Sequence, residues 1–76
     1  MRTSEQNIEL AINLADHLGE KVESIRFETI RENENGAALY AVSCWSGEIR
    51  YVIEGETGEL LGNWEDQTEA LENWNL

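Results

Sequence analysis

The sequence predicts an α+β fold in which an N-terminal helix packs on a three- to four-stranded antiparallel meander, followed by a short C-terminal helix. Apolar residues recur every three or four positions at the start of the chain and every second position in its middle. Polar turns containing glycine separate the alternating segments. The 76 residues suffice for a single domain, 1–76, with a small core.

The first predicted element is a helix over residues 4–18. Thr3 is a candidate N-cap, and Gln6 follows three residues later, at the spacing of a capping box. Gly19 follows the last apolar residue and is able to adopt the left-handed conformation that ends a helix. The expected buried stripe, widened by Leu14, consists of Ile8, Ala11, Ile12, Ala15 and Leu18.

Four strands are predicted after this helix. They cover residues 22–31, 37–45, 48–54 and, as a short edge strand, 59–61. Asn35-Gly36 is a strong hairpin dipeptide between the first two strands. The second strand carries apolar residues on both faces, which predicts a central position in the sheet.

A C-terminal helix of about ten residues completes the predicted order of elements. Asn63 or Asp66 is its expected cap, and Asp66 with Glu69 has the spacing of a capping box. Ala70, Leu71 and Trp74 are expected to face the sheet. Whether this helix docks there stays open.

The charge of the chain is strongly negative and unevenly distributed. Sixteen acidic and five basic residues give a net charge of −11. All five basic residues lie in 1–52, whereas 53–76 contains seven acidic residues and no basic one. Such a surface repels nucleic acid and anionic lipid and attracts basic partners in a salt-dependent way. We therefore expect a protein partner with a basic surface, without direct binding to nucleic acid or membrane.

The sequence offers little material for catalysis. Cys44 falls within a predicted strand and is expected in the core, and His17 suits the negative end of the helix dipole. A nucleophilic thiol requires a nearby base and an electropositive setting, which this acidic chain does not provide. We expect no enzyme activity, no metal and no cofactor. No apolar run follows Arg2 or reaches about 18 residues, which predicts a cytoplasmic location.

The chain contains three tryptophans, and two of them, Trp64 and Trp74, lie among acidic and amide residues. Aromatic residues are favoured at binding hot spots, although they also build small cores, and both readings stay open. The predicted partner-binding residues are Glu54, Glu56, Glu59, Trp64, Glu65, Asp66, Glu69, Glu72 and Trp74.

Residues 8–61 resemble a PepSY domain, in which a helix packs on an antiparallel meander. The similarity rests on Leu18-Gly19 followed by the strand 22–27, on the tyrosine of segment 35–42, and on the strand–turn segment 51–61. In that last segment Glu54 stands three residues before Thr-Gly-Glu, where the family usually has Asp. The resemblance implies a modulator of peptidases that binds through its sheet.

Two functions are therefore predicted. The first is a non-catalytic inhibitor that docks on a basic surface of a nucleic-acid-handling protein, of the DNA-mimic, phage anti-defence or anti-CRISPR type. The alternative is a PepSY-like modulator of a peptidase or another enzyme. Homodimerisation stays open in both cases.

Overall fold

The structure is a computed structural model that describes residues 3–74, so that Arg2 lies outside it. Helix α1 (Ser4–Leu18) leads through a short 3₁₀ turn into the sheet, and helix α2 (Gln67–Glu72) follows the sheet. The strands are β1 (Arg26–Glu32), β2 (Ala38–Ser43), β3 (Ile49–Glu54) and β4 (Leu60–Trp64). They form one antiparallel meander in the order β1-β2-β3-β4. The predicted α+β architecture is confirmed.

Helix α1 begins and ends at the predicted signals. The Thr3 hydroxyl oxygen accepts a bond of 3.2 Å from the Gln6 amide, and the Gln6 side chain accepts one of 2.8 Å from the Thr3 amide. Gly19 ends the helix with φ of 71°, and its amide donates to the carbonyls of Ala15 and Asp16. Residues at both ends of the helix therefore satisfy backbone groups that the helix itself leaves unpaired.

The predicted buried stripe of α1 is only partly correct. Leu14 and Ala15 are buried together with Leu10, whereas Ile8 and Ile12 are 60% and 50% exposed. At about 100° per residue, both isoleucines point about 160° away from Leu10. The apolar arc of the helix is wider than the surface that contacts the sheet, and Leu10 and Leu14 lie at the centre of that contact.

Both faces of the sheet are covered, each by one helix. On the α1 face the buried cluster consists of Leu10, Leu14, Ala15, Ile25, Ala38, Tyr40, Val42, Cys44 and Val52. On the other face, Ala70 of α2 is buried against Leu39 and Ile53. Helix α2 therefore docks on the sheet. Strand β2 is central as predicted, since consecutive residues Leu39 and Tyr40 are both fully buried on opposite faces.

Several boundaries differ from the predictions. Strand β1 begins at Arg26 rather than at residue 22, since Val22–Ser24 form a 3₁₀ helix, and α2 has six residues rather than about ten. Strand β2 ends at Ser43 rather than at residue 45, so Trp45 lies in the following turn. Strand β4 continues to Trp64 rather than ending at residue 61, because Asn63 and Trp64 pair with Val52 and Tyr51 across the sheet. Pairing with a neighbouring strand thus extends β4 beyond its own local pattern.

Candidate protein-docking surface

Acidic residues lie at both ends of the sheet, and one of these ends also carries an exposed tryptophan. We call one end the Asn35 end; it contains the turn 33–36 between β1 and β2 and the turn 55–58 between β3 and β4. We call the other end the Trp45 end; it contains the turn 44–48 between β2 and β3 together with segment 19–24, which follows α1.

Acidic side chains at the Asn35 end bind groups of the chain itself. Glu54 is only 8% exposed, and the Tyr40 hydroxyl donates a hydrogen bond of 2.7 Å to its carboxylate. Asn35 donates to the carboxylate of Glu56, which connects the two turns. Because Glu54 lies inside the fold, its carboxylate is not available at the surface, and we leave it out of the docking surface.

Glu59, another predicted contact residue, also has an internal partner at this end. The Thr57 hydroxyl donates to its carboxylate, and the same carboxylate lies directly over Gly55. A Cβ at position 55 would collide with it, so glycine permits this close approach. Glu56 and Glu59 remain exposed, but their carboxylates are held by the turns.

At the Trp45 end the main feature is an exposed indole. Trp45 is 88% exposed, although tryptophan has one of the largest apolar surfaces of any residue. A regular turn presents it, since the Gly47 amide donates to the Cys44 carbonyl at 2.9 Å and the Cys44 amide donates to the Glu48 carbonyl at 3.0 Å. Large apolar groups exposed in this way are typical of interaction sites.

Carboxylates line the groove beside this tryptophan. Trp45 and segment 19–24 line one open groove, in which Glu20 and Glu23 stand beside Lys21. Burial raises the pKa of the neighbouring Cys44 thiol, and the charges of Glu20 and then Glu48 raise it further. Both carboxylates therefore act on one spot next to Trp45, and the thiol stays protonated at neutral pH.

Arg50 connects the Trp45 turn to the start of α2. Its guanidinium donates to the carboxylates of Glu48 at 3.1 Å and Glu65 at 2.9 Å, and its Nε donates to the Asn63 side-chain oxygen at 3.1 Å. The Asn63 amide nitrogen in turn lies 3.3 Å from Nε2 of His17. This network places Glu65 at the same end of the sheet as Trp45.

Three further predicted residues lie on or beside α2. Asp66 caps the helix by accepting a bond of 3.1 Å from the Thr68 amide. Glu69 and Glu72 are exposed and three residues apart, so they share one side of the helix, whereas Glu65 lies in the connection before it. Because Ala70 packs on Leu39 and Ile53, α2 leads from the Trp45 end towards the Asn35 end. The predicted set thus contains an acidic stripe, Glu65, Glu69 and Glu72, that begins at the Trp45 end and follows α2, and a second group at the Asn35 end.

The predicted tryptophans have a different environment from Trp45. Trp64 and Trp74 are half-buried and pack against the cluster that joins α2 to the sheet. Trp45 falls within the second predicted strand, and the predicted binding set includes only the two tryptophans that have acidic and amide neighbours. The position of Trp45 directly before Ser46-Gly47 was the available signal, since a residue at a turn has no sheet face to pack on.

Within residues 3–74, no group of three or more His, Cys, Asp or Glu side chains is arranged to hold a metal ion. No helix in the described part of the chain has the length and apolar character needed to cross a bilayer. The chain matches no protein-family model, no curated protein and no solved structure.

Proposed function

We propose that this protein is a non-catalytic inhibitor that docks on the basic, nucleic-acid-binding surface of another protein and so blocks access of the nucleic acid. The observation that carries the proposal is the 88% exposed Trp45, which lines one groove together with Glu20 and Glu23. An apolar anchor within an acidic surface fits a partner that is basic and partly apolar. Proteins that bind nucleic acid present such basic surfaces.

The acidic stripe supplies long-range attraction in this proposal. Within this stripe, Glu69 and Glu72 are about 4.5 Å apart along the axis of α2, from the rise of about 1.5 Å per residue. One DNA strand carries a phosphate every 3.4 Å or so along its axis, a spacing of similar size. The net charge of −11 accelerates encounter with a basic protein, and added salt screens this attraction.

Trp45 supplies short-range affinity. A buried tryptophan at the centre of an interface typically contributes about 2 kcal/mol or more, which corresponds to about 30-fold in Kd. The neighbouring carboxylates are then suited to lysine and arginine side chains that the partner normally uses to hold phosphates.

The test is affinity capture from a cytosolic extract at low salt, followed by a salt step and identification of the eluted proteins by mass. We expect nucleic-acid-binding proteins in the salt eluate. The purified partner should lose binding to its nucleic acid when this protein is added in excess. Capture that resists the salt step, or a captured protein that still binds nucleic acid normally, would contradict the proposal.

Matched charge reversals distinguish the effect of the acidic stripe on capture from the effect of net charge. The double variant Glu69→Lys/Glu72→Lys changes two exposed carboxylates on α2, and Glu5→Lys/Glu9→Lys makes the same charge change on α1. We expect the α2 variant to lose capture and the α1 variant to retain most of it. Equal losses would show that only net charge matters.

A PepSY-like modulator of a peptidase is the second candidate, and an incompletely covered sheet supports it. Ile49 is 47% exposed and Tyr51 half-buried on the face that α2 covers. A modulator that binds through this face should lose its target with Tyr51→Ser and keep it with Glu69→Lys/Glu72→Lys. The opposite result favours the first candidate.

A further inference from the structure

We infer that the Trp45 end binds an extended, unfolded segment of the partner in which cationic and aliphatic side chains alternate. This inference rests on the proposed function, because it assumes that Trp45 contacts the partner. The inference adds that the recognised element is a linear segment of about eight residues or fewer. It also assigns a second subsite, which lies on the sheet.

Three adjoining grooves form one path across the Trp45 end. The first lies between segment 19–24 and Trp45. The second is lined by Glu23, Ser24 and Trp45 on one side and by Arg26 and Ser43 on the other. The third lies on the α2 face of the sheet, and its lining includes Arg26, Glu28, Ala41, Ser43, Ile49 and Tyr51. Each groove shares lining residues with the next, so the three grooves adjoin one another.

The third groove exists because α2 covers only part of this face. The helix packs mainly on β3 and β4. Helix α2 buries Leu39 and Ile53 but leaves Ile49 47% exposed at the Trp45 end of the same face. The floor formed by Ala41, Ile49 and Tyr51 is therefore open beside the helix, and the polar side chains of Arg26, Glu28 and Gln67 line the same groove.

The size of the molecule limits the occupant. The structure measures 29 × 28 × 16 Å along its principal axes. An extended chain advances about 3.3 Å per residue, so about eight residues span the longest dimension. Alternate side chains of such a segment point to opposite sides, which lets one set contact the floor while the other reaches the rim.

The charges at the rim favour cations. The path is lined by three carboxylates, those of Glu20, Glu23 and Glu28, and by two basic side chains, those of Lys21 and Arg26. The Arg26 guanidinium already donates to the backbone carbonyls of Ile25 at 2.9 Å and Glu23 at 3.3 Å, so part of its hydrogen-bonding capacity is used. The exposed indole of Trp45 adds a surface on which a lysine or arginine makes a cation–π contact.

Pairing with an edge strand is the less favourable way to bind an extended segment here. The register of β1 against β2 shifts between Thr29 and Arg31, and that of β4 against β3 shifts between Val52 and Glu54. Irregular outer strands are poor templates for a further strand. The recognised segment is therefore held by its side chains rather than by a continuous backbone ladder.

The probe is a fluorescein-labelled peptide of eight residues in which lysine and valine alternate, with blocked ends. Fluorescence polarisation gives its Kd, which is compared with the Kd of a lysine–serine peptide of equal charge. We expect the lysine–valine peptide to bind at least about tenfold more tightly, because two or more valines are buried on the floor. Equal affinities would overturn the inference.

Two exposed aliphatic residues provide a matched pair of variants. Ile49 lines the third groove and is 47% exposed, whereas Leu61 is 49% exposed and lies on β4. We expect Ile49→Ser to weaken binding of the lysine–valine peptide at least about fivefold and Leu61→Ser to change it less than twofold. Equal effects of the two substitutions would also overturn the inference.

The same variants separate this inference from the proposed function. In one outcome, Trp45→Ala abolishes capture of the folded partner, but Ile49→Ser and Leu61→Ser have the same Kd for each peptide. The inference of a linear segment is then wrong and the proposed function stands. If Trp45→Ala leaves capture of the partner unchanged, the proposed function fails, and the inference fails with it.

Discussion

The Asn35 end and the Trp45 end contain similar numbers of carboxylates but use them differently. At the Asn35 end, Glu54 and Glu56 accept hydrogen bonds from Tyr40 and Asn35, which connect strands and turns. At the Trp45 end, an arginine pairs with two carboxylates, but others line a groove with an indole that is 88% exposed. The net charge of a segment therefore does not show which of its carboxylates are available to a partner.

The two ends also differ in what a substitution should affect. Side chains at the Asn35 end connect strands and turns, and their loss should lower the free energy of unfolding. Trp45 contributes little to packing, and its loss should affect binding alone. The predictions below test this division, beginning with the largest expected change.

The largest contrast is expected between two tryptophans. Trp64→Ala removes a half-buried ring from the cluster beneath α2 and should lower the free energy of unfolding by about 2–3 kcal/mol. Trp45→Ala should change it by less than about 0.5 kcal/mol, because the ring is exposed. Urea denaturation followed by circular dichroism measures both. Similar losses in the two variants would show that Trp45 is part of the core.

A smaller loss of stability is expected at the buried carboxylate. Tyr40→Phe removes the hydroxyl that donates to Glu54 while the aromatic ring is retained. Weakening the hydrogen bonding of a buried carboxylate should lower the free energy of unfolding by about 1–3 kcal/mol. Capture of the partner by the folded variant should be unchanged. A variant as stable as the wild type would contradict the structural role assigned to Glu54.

The smallest effect is expected on the reactivity of Cys44. The charges of Glu20 and Glu48 raise the pKa of this thiol, so Glu20→Gln/Glu48→Gln should lower the pKa and increase the thiolate fraction near pH 8.5. Alkylation by iodoacetamide should become faster, while burial still keeps the pKa above its ordinary value. The control Glu34→Gln, at the opposite end, should leave the rate unchanged. An unchanged rate in the double variant would show that these carboxylates do not face the Trp45 turn.

Local sequence signals predicted most of the fold. The capping box at Thr3, the terminating Gly19 and the hairpin dipeptide Asn35-Gly36 all act through neighbouring backbone groups, and each lies at the predicted place. The apolar pattern on both faces of β2 correctly predicted a central strand. Such features depend on residues close in sequence, which is why the sequence alone reveals them.

Features that depend on distant contacts were not predictable in the same way. Strand β4 extends to Trp64 because that residue pairs with Tyr51. Ile8 is exposed because the sheet contacts a different side of α1. The burial of Glu54 depends on Tyr40, fourteen residues away. The sequence predicted the acidic residues of the candidate surface but not Trp45, because the exposure of Trp45 follows from the end of β2 at Ser43.

The central claim is that the Trp45 end contacts the partner and the Asn35 end does not. The most direct test is isothermal titration calorimetry of the captured partner with two variants, Trp45→Ala and Glu56→Gln/Glu59→Gln. We predict that Trp45→Ala raises Kd about 30-fold and that the double variant changes it less than about threefold. A larger effect from the double variant, or an unchanged Kd with Trp45→Ala, would contradict the claim.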